Sequence, residues 1–144
     1  MTNGLYEQDY FSWSQRQAAL LKAGRLNEID AALLAEEIED IGKEIRNACF
    51  SFVTRILEHM LKLEYSILDG SKPHWRSEVS HFRDELENRL TRSIERQLDL
   101  ERLYGKAVRA ATAALELDDP EFGLRPPTAC PWSLAQIRGD DGLE

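Results

Sequence analysis

The feature that most constrains this chain is one uninterrupted helical pattern running from near Asn27 to the stop "DGSKP", residues 69–73. Within it Leu34, Ile38, Ile41, Ile45, Cys49, Phe52, Ile56, Met60, Leu63 and Ile67 recur at spacings of three and four. That period lines them along one side of a helix of about 38 residues, whose apolar stripe faces inward. No run alternates polar and apolar residues with period two, so a half-buried sheet is not expected. Gly42 lies inside the pattern and costs up to about 1 kcal/mol against Ala, so a bend or short break is expected near it.

The remaining segments are read around this helix. Tyr6, Tyr10, Trp13, Leu20 and Leu21 mark a first helix over about 5–23, closed by Gly24 as C-cap. The long pattern gives a second over about 28–69, capped by Asn27 or Asp30. Pro73 suits the first turn of a third, over 73–92, whose inward stripe is Trp75, Val79, Phe82, Leu86 and Leu90. A fourth, over 94–116, carries Leu100, Leu103, Ala107, Ala110, Ala111 and Ala114; only Ser93 offers a cap at its start. Pro126, Pro127 and Pro131 make 117–144 an extended strap with a short final helix near 132–138. Short connections favour antiparallel neighbours, so the expected fold is all-α: a single domain built as an up-down-up-down antiparallel four-helix bundle with a proline-containing C-terminal strap.

Charge restricts the partners. The chain has 144 residues and a net charge of −8, which argues against nucleic acid or an anionic membrane and favours a basic ligand or protein face. The first residues carry neither a cationic flank nor an apolar core, and no stretch reaches the roughly 18 apolar residues of a membrane span, so a soluble, cytoplasmic protein is expected. Cys49 and Cys130 stand far apart in no CxxC pair and read as reduced, packed thiols. Residues 89–109 alone are basic, with 6 cationic and 3 acidic side chains. Glu95, Asp99 and Glu101 interrupt that stripe and no aromatics are interleaved for base stacking, so it reads as a solvated helix face.

The candidate chemistry lies in "HWRSEVSH", residues 74–81. Helical rise separates His74 from His81 by roughly 10.5 Å along the axis, too far for one zinc whose ligand nitrogens lie about 2.0–2.1 Å away. Glu78 with His81 is the better pair. A hairpin centred near residue 71 brings His59 to the level of about residue 83, so His59, Glu78 and His81 are the candidate ligands for a divalent metal such as zinc, iron or manganese. The chain has no second Glu-x-x-His, and a core histidine is more often structural, so no cofactor is the favoured expectation. In "AEEIEDIGKEI", residues 35–45, Glu37 sits beside the inward face and needs a partner, whereas Glu36, Glu39, Asp40 and Glu44 look outward. No nucleophile elbow, phosphate loop or dinucleotide loop is present.

Several stretches taken in order, "LYEQDYFSWSQRQAALLKAGRLNEID", "LAEEIEDIGKEIR", "LEHMLKLEY", "HWRSEVSHFRDEL" and "FGLRPPTACPWSLAQI", resemble a bacterial family catalogued as domain of unknown function 29. The matching positions are Tyr6, Trp13, Glu36, Glu37, Ile38, His59, Leu61, Trp75, Arg83, Pro127, Cys130 and Pro131; His74 and His81 are not among them. Where the family has a proline-containing break before helix four, this chain reads "TRSIERQ". The resemblance implies an all-α bundle and no established activity or cofactor. It directs attention to Glu37, His59 and Arg83 as one buried polar network fixing helix register. The resulting expectation is a protein-interaction or oligomerising module, a homodimer among its forms, without catalytic activity. The alternative is a metal-dependent hydrolase or oxidoreductase using His59, Glu78 and His81.

Overall fold

Asp9 divides the first expected helix in two. Its carboxylate accepts the Ser12 backbone N–H at 3.0 Å, so it caps a new helix rather than continuing the old one. The computed structural model describes residues 3–118 and 125–140; 119–124 of the expected strap and 141–144 lie outside the described residues. Among the described residues the α-helices are α1 (Asn3–Gln8), α2 (Tyr10–Lys22), α3 (Ala31–Tyr65), α4 (Lys72–Glu87), α5 (Arg92–Glu95), α6 (Leu100–Asp118) and α7 (Leu134–Arg138), with a 3-10 turn over Asp69–Ser71 and no strand. The all-helical expectation therefore holds, while the four expected bundle helices become six. The fourth is divided because Gln97 and Leu98 close turns on Ile94 and Glu95, and α6 starts afresh after Asp99. The helix expected near 132–138 is α7.

The chain forms two compact units, residues 1–43 and 44–144. In the first, Gly24 adopts a positive φ of 71° and passes the chain out of α2, with Arg25 N–H donating to Leu20 O at 2.9 Å, as its C-cap role requires. Trp13 is buried and donates its indole N–H to Asp30 Oδ2 at 2.6 Å. Gln17 donates to the same oxygen at 3.1 Å and accepts the Asp30 backbone N–H at 2.8 Å. Asp30 in turn offers its carbonyl to Leu34 N–H at 2.9 Å and opens α3. Tyr6 and Trp13 meet edge to face at 4.8 Å, a geometry that suits the ring quadrupoles.

α3 continues through Gly42 without a break. Its apolar stripe, however, is not inward along its whole length: Ile38 and Ile41 are 67% and 57% exposed in the first unit, and Ile45 and Ile67 are exposed in the second. The physical reason is visible in the hydrogen bonds. The side chains of α1 and α2 reach this helix at Asp30, just before it, and at Glu37, in its second turn, and the two isoleucines lie past that point.

In the second unit a single core joins Cys49, Val53, Ile56, Leu57 and Leu61 of α3 to Val79 and Leu86 of α4, Leu103, Tyr104, Ala107 and Ala111 of α6, and Ile137 of α7. Val53, Leu57 and Leu61 are fully buried, whereas Phe52, Met60 and Leu63 of the expected stripe only flank the core. A helix packed against several others buries a wider sector than a single row at spacings of three and four, and each fully buried side chain contributes roughly 1.5–3 kcal/mol. Both cysteines are free, Cys49 buried and Cys130 half-buried.

The C-terminal segment is pinned by named bonds. Tyr104 donates its hydroxyl to Pro127 O at 2.7 Å, and Cys130 N–H donates to the Glu101 carboxylate at 3.1 Å. Ser133 and Gln136 form a reciprocal capping box that starts α7, and Ile137 is fully buried. Among the described residues no helix is long and apolar enough to cross a membrane.

Candidate functional site

His59 is buried on α3, with its ring stacked on Phe82 of α4 at 6.0 Å between centroids. His81 also touches Phe82, at 5.3 Å, but its side chain is exposed; Glu78 is half-buried and His74 exposed. The level deduced from the hairpin is thus close, since His59 stands beside residue 82, but the angular position is not that of a shared ligand. Among the described residues no three His, Cys, Asp or Glu side chains, the expected His59, Glu78 and His81 included, are grouped so as to hold a metal ion. α4 turns Trp75, Val79 and Leu86 into the core, which leaves Glu78 and His81 at the margin.

Burial, followed by the nearby Lys62 cation, holds the His59 imidazole below its usual range and therefore favours the neutral ring. Its Nδ1 is buried with no hydrogen-bond partner among the described residues. Beside it, Glu58 and Lys62 are buried and paired at 3.3 Å, and Lys62 Nζ lies 5.9 Å from the Trp75 ring centroid. A buried carboxylate and ammonium avoid the cost of isolated charges by this pairing.

Of the expected Glu37, His59 and Arg83 network, Glu37 and Arg83 make the following hydrogen bonds. Glu37 receives the hydroxyls of Tyr6 and Tyr10. Those two bonds, Tyr10 first, hold its carboxyl below the usual carboxylate range, while the bond to Glu37 pushes Tyr6 up to about 12. Arg83 instead serves α7: Nε donates to Ile137 O at 2.9 Å and Nη2 to Gln136 O at 3.1 Å, which satisfies carbonyls at that helix's C-terminus.

The concave feature of the 44–144 unit was not legible as such in the sequence. An open groove of about 770 Å³ is lined by α3 and α6 together with Gln97. Arg46 and Arg55 come from α3, Arg102 and Lys106 from α6, and half-buried Phe50 and buried Leu103 form part of its lining. Glu58 is the one acidic lining residue, and it is engaged by Lys62 at 3.3 Å and by Arg55 at 3.6 Å. Arg46 is steadied by Gln97 at 3.3 Å. Among the described residues no carboxylate lies within ion-pair distance of Arg102 or Lys106. The groove is therefore a cationic surface on a chain of net charge −8. The basic stripe around 89–109 held half of it. The missing half was the row Arg46, Phe50, Thr54 at spacing four, with Arg55 beside it, next to the apolar core positions of α3.

No curated protein and no solved structure matches the chain. The succession from α1 to α7 is covered almost entirely by one family model, that of the domain of unknown function DUF29, which matches residues 5–141, and the chain belongs to that family.

Proposed function

We propose that this protein is an interaction module that self-associates and has no catalytic chemistry of its own. The observation that carries this reading is the exposed α3 face of Ile38 and Ile41. β-Branched side chains at i and i+3 gain roughly 1.5–3 kcal/mol each when buried, and here they remain in water. Phe11 of α2, 71% exposed, adds apolar surface to the same unit. Two copies can cover this apolar face by pairing it with itself across a two-fold axis.

Sedimentation velocity over a concentration series tests the reading. The wild-type chain is expected to shift from monomer to a larger species. Ile38→Ser with Ile41→Ser is expected to raise the dissociation constant about 100-fold, by the burial energy of the two side chains. A wild-type chain that stays monomeric throughout the series overturns the reading.

A further inference from the structure

We infer that the groove between α3 and α6 binds a small polyphosphate, free or carried on a nucleoside, independently of the self-association proposed above. Four cations line it, Arg46 and Arg55 from α3 and Arg102 and Lys106 from α6, against the single carboxylate of Glu58. That carboxylate is already shared, since Lys62 engages it at 3.3 Å and Arg55 at 3.6 Å. Arg46 is held by neutral groups: its Nε donates to Asn47 Oδ1 and its Nη1 to Gln97 Oε1, both at 3.3 Å. Its position is thereby restrained while its charge stays uncompensated. Among the described residues Arg46, Arg102 and Lys106 have no ion-pair partner. On a chain of net charge −8, such a concentration of unanswered positive charge is a site for an anion from outside.

The layout of the cations narrows the anion. They stand on both helices that wall the groove, about 14 Å apart along α3 and about 6 Å apart along α6 at 1.5 Å of rise per residue. A compact chain of phosphates presents oxygens on every side and meets donors from both walls, whereas a lone carboxylate presents only two oxygens. Three of the four cations are arginines, whose planar forks pair with phosphate through two parallel N–H···O bonds. A volume of about 770 Å³ is that of a small-molecule site. A long polyanion is the poorer occupant. Beyond a Debye length of about 8–10 Å it leaves the four cations for the acidic remainder of the surface, where Asp99 and Glu101 stand exposed next to Arg102 in sequence. Half-buried Phe50 and buried Leu103 add an apolar patch against which a nucleobase can rest, and this admits a nucleoside as the carrier.

Isothermal titration calorimetry on the full chain, at low salt and without divalent metal, tests the inference with inorganic tripolyphosphate, ATP, citrate and a single-stranded RNA oligonucleotide as probes. Tripolyphosphate and ATP are expected to bind, and to bind more weakly as salt rises. Arg102→Gln with Lys106→Gln is expected to weaken both by at least about tenfold. Arg76→Gln with Arg92→Gln removes equal charge outside the groove and is expected to leave both within about twofold of wild type. All four side chains are exposed, so a loss in the first variant reads binding and not folding. Tighter binding of ATP supports a nucleoside carrier, and equal or tighter binding of tripolyphosphate supports the free phosphate chain. The inference is overturned if neither binds at about 1 mM, or if the two double variants lose binding alike. Citrate binding as tightly as tripolyphosphate overturns the choice of phosphate, and RNA binding more tightly than either, with loss in the groove variant, overturns the choice of a small ligand.

Discussion

Single residues here are fixed by hydrogen bonds more than by their place in a hydrophobic pattern. Glu37 illustrates this, since its position beside an inward stripe announces a need for a partner, yet the partners are two tyrosines and not a cation. The consequence is a pH dependence with two signs. Glu37's depressed carboxyl contributes stability that is present above the ordinary carboxylate range and lost as pH falls through its folded value. His59, also depressed, adds stability lost as pH falls below its ordinary 6.5. Tyr6, raised from 10 to about 12, contributes stability that is complete below pH 10 and lost as pH rises toward 12. Spectrophotometric titration of the tyrosines is expected to show Tyr6 ionising near pH 12 in the wild type and moving toward 10 in Glu37→Gln. A Tyr6 titration unmoved by that substitution would contradict the assigned bond.

At the scale of elements, one short piece is seated by contacts distant in sequence. α7 has only five residues, too few to be stable alone, and it persists because Ile137 is buried and Arg83 caps it from α4. Gly139 ends α7 at φ 79°, where a Cβ would come within 3.2 Å of the Arg83 guanidinium. Gly139→Ala is therefore expected to cost about 1–2 kcal/mol for the left-handed backbone alone, with a further penalty as Arg83 is displaced. Urea unfolding measures it, and an unchanged midpoint would show that the seat of α7 tolerates the methyl. α3 is the opposite case. It is long enough to propagate through Gly42, where the penalty of about 1 kcal/mol falls in the interior of a helix continued on both sides.

For the molecule as a whole, the surroundings of His59 set the expectation for metal binding. His59 is stacked on Phe82, and His81 lies exposed at the margin of the same ring. Added zinc, iron or manganese is accordingly expected to leave the unfolding midpoint of the tag-free protein unchanged. A concentration-dependent rise would show that these side chains regroup around an ion. The sequence by itself determined the helical character of the chain, the cap at Gly24, the free thiols and the approximate level of His59 against α4, because these follow from periodicity, local hydrogen bonding and chain length. Only the tertiary structure decided which isoleucines of one continuous stripe are covered, that Arg83 holds α7, and that Arg46 and Arg55 share a groove with Arg102 and Lys106. A helical period fixes which residues share a face, but what lies opposite that face is set by contacts between segments some fifty residues apart, which no local pattern encodes.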